Sequence, residues 1–219
     1  MGPPPLPRLA PPILPAAPQK TSRSKLWFLL LVPLPFLALA ILGRLVFLPW
    51  PVPTGSMGPT LLAAPAYNGA PLAGDRVLIN RASYLFGGPE RGEVIVFDTT
   101  GLRETQVPQG QYYVKRVVGV PGDEVLLEPP GVRVNGQLLN APSVFTSITR
   151  SVNGYNGYQA LGTFGIGRPV KLGPGQYFVL GDNSRRSLDS RSFGPIKGSQ
   201  IVGRAVFVYA PLPRLGFLD

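Results

Sequence analysis

The chain of 219 residues has no histidine and no cysteine. Without cysteine there is no disulfide framework and no thiolate metal site. Without either residue, zinc loses its usual ligands. The missing imidazole has a further consequence: any nucleophilic serine here needs a base other than histidine. Acidic residues are absent from residues 1–50, which carry Arg8, Lys20, Arg23, Lys25 and Arg44; all eleven acids lie further on. The net charge of +10 therefore has a large share beside one segment, and no dense Lys/Arg run with interleaved aromatics follows. That distribution argues against nucleic acid as a partner and for a basic flank at a membrane.

Long hydrophobic runs are nearly lacking too. The exception is residues 26–43, apolar without interruption. As a helix this run spans about 27 Å, close to a bilayer's hydrocarbon core. We expect a single transmembrane helix over 26–48, kinked at Pro33 and Pro35, with Trp27 and Trp50 about 35 Å apart at the two interfaces. Residues 1–25 are expected to be a disordered cytoplasmic tail, with Pro3-Pro4-Pro5 and Pro11-Pro12 blocking helix. Lys20, Arg23 and Lys25 precede the run and only Arg44 closely follows it, so the positive-inside rule puts residues 49–219 outside the plasma (inner) membrane. A cleaved signal peptide is the rival reading; the long lead, the prolines and a cleavage-like Ala38-Leu39-Ala40 inside the run fit it poorly.

After Trp50 the pattern becomes short β-type runs divided by glycine and proline. Candidate strands are 76–80, 93–97, 112–120, 124–128, 132–134 with 137–140, 177–181 and 201–210. Asn135-Gly136 is a two-residue hairpin signal. The expected fold class is mainly β, an antiparallel barrel-like or sandwich-like domain over 49–219. Residues 141–170, rich in Gly, Asn, Ser and Tyr, read as a long loop or cap, and 205–218 as a final strand and tail.

Ser56 lies between Gly55 and Gly58-Pro59, a composition that favours a tight exposed turn. Read alone, it is equally an ordinary loop serine. Lys115 lies in a strand whose two faces, Tyr113/Lys115/Val117 and Val114/Arg116/Val118, are both largely apolar. A lysine facing a dry surface loses solvation of its ammonium form, and its pKa falls toward the range of a useful base; on an edge strand it would simply be solvated. The third polar segment runs from Gly181 to Gly194 after an apolar strand. Its Asp182 and Asp189 are too few to argue for a metal.

Together with Gly74-Asp75-Arg76-Val77-Leu78-Ile79-Asn80-Arg81, these segments closely resemble, in order, the motifs of type I signal peptidase (bacterial leader peptidase), over residues 50–205. The resemblance implies a serine endopeptidase with Ser56 as nucleophile and Lys115 as general base, and no cofactor or metal. It implies that Thr54, where the family usually has serine, binds the oxyanion with the Ser56 N–H, and that Ser187 orients the lysine. It further implies structural ion pairs Asp182–Arg116 and Asp189–Arg191. Val52, Pro53, Met57, Leu61, Tyr113 and Val114 would line shallow pockets for small side chains at −1 and −3. The implied partners are preproteins bearing signal peptides, in a lipid bilayer. Departures are Ser184-Arg185-Arg186 where Arg-Asp commonly follows Gly-Asp-Asn, Arg81 where lysine is frequent, and a 141–170 excursion shorter than some members' cap. Two other readings remain: a specialised Ser/Lys peptidase for pilin or conjugation precursors, and a non-enzymatic anchored β scaffold.

Overall fold

The computed structural model describes Gly2 and residues 33–64, 66–67, 70–71, 74–102, 104 and 107–218. Two compact units divide the chain, Met1–Ile41 and Leu42–Asp219. Helix α1 covers Pro33–Val46, with Pro33 and Pro35 in its first described turn. None of its residues is buried; Leu34, Phe36, Leu37, Leu39 and Leu45 are each more than half exposed. No helix among the described residues is long and apolar enough to cross a membrane. Residues 26–32 of the expected span, and the tail apart from Gly2, lie outside the described residues. The expected helical boundary at 48 is corrected: Phe47 and Leu48 already belong to strand β1 (Phe47–Pro51). Pro49 and Pro51 favour extended backbone, and β1 is an edge strand, where a missing donor is tolerated.

Beyond β1 come the short pair β2 (Ala66–Tyr67) and β3 (Ala70–Pro71), then β4 (Arg76–Asn80), β5 (Val94–Asp98) and β6 (Tyr112–Gly119). Strands β7 (Glu124–Glu128), β8 (Gly131–Val134) and β9 (Gln137–Leu138) follow. After helix α2 (Ser143–Thr149) come β10 (Val170–Lys171), β11 (Gln176–Leu180), helix α3 (Ser190–Phe193), β12 (Ile196–Lys197), β13 (Ile201–Ala210) and β14 (Gly216–Phe217). The main sheet is antiparallel, in the order β1-β4-β13-β5-β6-β11-β12, with β14 beside β13. A second antiparallel sheet runs β10-β7-β8-β9. The domain is thus mainly β and antiparallel, as expected. Its β8–β9 hairpin turns through Asn135 and Gly136, both at positive φ (53° and 77°), the conformation a type I′ turn requires.

Strands β5 and β6 are buried on both faces. Val94, Val96 and Val114 join one core cluster with Val77 and Ile79. Ile95, Phe97 and Val117 join another with Val179 and Ile196. A third cluster couples Val118 and Phe178 of the main sheet to Val125, Leu127 and Val132 of the second. Residues 141–170 are more than a loop. Helix α2 buries Phe145 and Ile148 in the third cluster, and Tyr158 is buried there too. Those scattered apolar residues stayed hidden among glycines and asparagines because seven helical residues are too few to show a period.

Candidate active site

Ser56 sits in a single 3-10 turn, Gly55–Met57. Thr54 enters it extended (φ −134°, ψ 153°), Gly58 N donates to Gly55 O at 3.2 Å, and Leu61 N donates to Met57 O at 2.9 Å. Met57 and Leu61, both fully buried, root this turn in the core, leaving Ser56 only 4% exposed. On β6, Lys115 lies opposite fully buried Ile95 and is 3% exposed. Its Nζ is 2.8 Å from Ser56 Oγ and donates to the Val114 carbonyl at 2.9 Å. The same ammonium lies 5.2 Å from the centre of the Tyr113 ring. Thr54 Oγ1 donates to Ser56 Oγ at 3.2 Å. Residues 59 positions apart are thus brought within proton-transfer distance, and a hydroxyl two residues upstream faces the same oxygen.

Burial lowers the Lys115 pKa from 10.5 to about 8. Asp189 and Asp182 pull it upward, and Arg191 pushes it down. The carboxylates do not win because each is engaged by its own guanidinium. Arg116 grips Asp182 in a fork (Nε–Oδ1 2.9 Å, Nη2–Oδ2 2.7 Å). Arg191 grips Asp189 likewise (Nε–Oδ1 2.8 Å, Nη2–Oδ2 2.7 Å). All four side chains are at most 1% exposed. Their remaining valences are also filled: Arg116 donates to Gly92 O, Arg191 to Gln159 O and Ser184 Oγ, and Asp189 accepts from Gly181 N. A buried ion pair is tolerable only when satisfied in this way.

The loop carrying these pairs also holds the serine turn, a contact the sequence reading missed. Asn183 N donates to Ser56 O at 3.0 Å, and Asn183 Nδ2 donates to Gly55 O at 3.0 Å. Thr60 donates to Asp182 Oδ2 and shares a hydrogen bond with Tyr155 Oη at 2.8 Å. The only sequence signal for Asn183 is its place next to Asp182; nothing local reveals a target 127 residues upstream.

Two expectations need correction. Ser187 does not hydrogen-bond Lys115: its buried hydroxyl has no partner, and the lysine bonds Ser56 and Val114 instead. Ser187 lies against Gly181, where an added Cβ would collide with Ser187 Oγ and, at 2.5 Å, with Ser56 O. The second correction concerns the pocket. A cavity of about 380 Å³ borders Ser56 and Lys115, and Pro53, Tyr113 and Val114 line it as expected. Val52, Met57 and Leu61 do not; they are buried in the core cluster of Val77, Ile79 and Val96. Thr54, Pro108, Gln111, Tyr112, Arg186 and Leu188 complete the lining among the described residues.

Comparison with known proteins identifies the family. A family model described as signal peptidase, peptidase S26, matches residues 24–210. The chain is 34% identical over 167 residues to a protein named probable signal peptidase I-2 of Synechocystis, covering 76% of this chain and 65% of that one, just under two thirds of its length. It is 34% identical over 183 residues to signal peptidase IB of Staphylococcus aureus, covering 80% of this chain and 84% of that one. A crystal structure of a signal peptidase I from Enterococcus faecalis is 28% identical, with a TM-score of 0.38 over 53% of this chain and 95% of that one. From the extent of the family match and the identity to these relatives, the chain belongs to the signal peptidase family, peptidase S26.

Proposed function

We propose that the protein is a membrane-bound serine endopeptidase that removes N-terminal signal peptides from exported preproteins after small residues at −1 and −3. The observation that carries this reading is the 2.8 Å approach of Ser56 Oγ to a buried lysine whose pKa is lowered to about 8. An amine that is neutral in part of the population near neutral pH can accept the serine proton as Oγ attacks the −1 carbonyl. In the tetrahedral intermediate the Thr54 hydroxyl, released from Ser56 Oγ, and the Ser56 N–H bind the oxyanion. The protonated Lys115 then donates to the leaving amine, and the amine so regenerated activates the water that hydrolyses the acyl-enzyme.

The substrate lies extended in the cavity as an added strand between Pro53-Thr54 and the start of β6. Pro53, Tyr113 and Val114 limit the space for its side chains. The apolar surface of α1 and the basic residues before residue 26 support an anchor with its N-terminus in the cytoplasm and residues 49–219 outside. Trp50 to Ser56 extends at most about 20 Å, so the nucleophile stays near the outer leaflet where a cleavage site emerges.

The test is cleavage of a purified preprotein carrying an Ala-x-Ala site, in detergent or lipid, by the wild type, Ser56→Ala and Lys115→Met. Cleavage after the −1 alanine by the wild type alone is expected. Retained activity in Ser56→Ala would end the nucleophile assignment, and retained activity in Lys115→Met at neutral pH would require another base.

A further inference from the structure

The cavity beside Ser56 has a charged residue in its wall that pairs with none of the described residues. Arg186 lines it together with Lys115, and no aspartate or glutamate among the described residues is part of the lining. Arg186 is exposed, and its guanidinium makes no hydrogen bond or ion pair among the described residues. The carboxylates of its own loop are not available: Asp182 is held by Arg116 and Asp189 by Arg191. Neighbouring Arg185, also exposed and without a partner among the described residues, adds charge of the same sign.

The base of this side chain is nevertheless fixed relative to the nucleophile. Arg186 closes the 3-10 turn Ser184–Arg186, its N donating to Asn183 O at 3.0 Å. Asn183 is in turn bonded to Gly55 O and Ser56 O. Two hydrogen-bonded turns therefore set the Arg186 backbone against the Ser56 backbone, while the guanidinium remains free to reach into the cavity. Among the described residues, Lys115 and Arg186 are the only charged side chains in the wall. A cleft with one sign of charge and apolar walls (Pro53, Tyr113, Val114 and Leu188) concentrates its field on whatever enters.

We infer that Arg186 is a specificity residue for a substrate carboxylate: it favours an Asp or Glu side chain within two residues of the scissile bond and disfavours Lys or Arg there. An extended substrate advances about 3.3 Å per residue, so only positions close to the cut share the cavity with Ser56. The inference rests on the reading that Ser56 cleaves peptides in this cavity. Because the pair forms when substrate binds and is partly solvated, it acts mainly on KM. The expected preference is about three- to tenfold in kcat/KM at low salt, shrinking as ionic strength rises.

The experiment uses the full chain in detergent with peptides that carry alanine at −1 and −3 and differ only in having Asp, Asn or Lys at −2, +1 or +2. At one of these positions the wild type should rank Asp above Asn above Lys, with the spread compressed at high salt. Arg186→Ala should flatten that series and Arg186→Glu should invert it, while Arg185→Ala keeps the order. Melting curves of the variants establish that each is folded. Equal cleavage of the three peptides at every position, or a wild-type ranking retained by Arg186→Glu, overturns the inference while leaving the peptidase reading intact. No cleavage of any peptide or preprotein by folded wild type overturns both.

Discussion

Lys115 is a largely buried amine, and its charge state governs two measurable properties. Its amine must be neutral to accept the Ser56 proton, so kcat/KM should rise with pH through about 8 and then level off. Below that point the rate should fall about tenfold per pH unit, checked with a substrate that does not itself titrate in the range. The same shift bears on stability with a defined sign. The unfolded chain holds this proton more tightly, at a pKa of 10.5 against about 8 in the fold. Lys115 therefore opposes folding in full below pH 8, less as pH rises toward 10.5, and not at all above it. Lys115→Met should abolish activity and yet raise the melting temperature at neutral pH, by about 2–4 °C for each kcal/mol gained in a domain of this size. The variant should also lack the wild type's gain in stability between pH 8 and 10.5. A lower melting point at pH 7 would mean that the Ser56 and Val114 hydrogen bonds outweigh desolvation.

At the scale of elements, the loop between β11 and α3 acts as a clamp with two buried forks beneath it and the serine turn above. Asp182→Ala leaves the Arg116 guanidinium buried without its carboxylate and should cost about 3–5 kcal/mol, read from urea unfolding. Asn183→Ala removes one hydrogen bond, the one to Gly55 O, and leaves the backbone bond to Ser56 O in place. Its expected stability loss is smaller, about 1 kcal/mol. The larger effect should fall on kcat, lowered on the order of tenfold or more because the nucleophile is displaced from its base. A change in KM alone, with kcat preserved, would show that the clamp does not position Ser56. Most of these elements are legible locally: β4, β6, β7 and β13 follow from alternation and turn residues at nearly their observed limits. The β1 strand and helix α2 are not, because each owes its form to a partner distant in sequence: β4 beside β1, and the Phe178 cluster beneath α2.

At the scale of the whole molecule, the compact unit 42–219 carries every residue of the candidate site, while Arg8, Lys20, Arg23, Lys25 and most of the apolar run 26–43 precede it. Removing residues 1–41 should leave hydrolysis of soluble peptides close to the full-length rate. Cleavage of a preprotein embedded in vesicles should fall at least about tenfold, since restricting enzyme and substrate to one surface raises their effective concentration. Equal losses on both substrates would instead make those residues part of the folded domain.

Residue chemistry and order along the chain were enough to determine that this chain supplies no imidazole or thiolate, that the domain is antiparallel β, and that Ser56 and Lys115 are the candidate pair to examine. Hydrophobic period and motif order are properties of neighbouring residues, so a sequence displays them directly. Which apolar residues border a cavity is a different kind of quantity. Val52, Met57 and Leu61 are as apolar as Val114, yet only Val114 borders the cavity. The Ser187 hydroxyl, the Asn183 clamp and the unpaired Arg186 were likewise decided only on folding. Each depends on how a loop at 181–191 packs against a turn at 54–58, and that distance is set by sheet register and core volume rather than by the residues themselves.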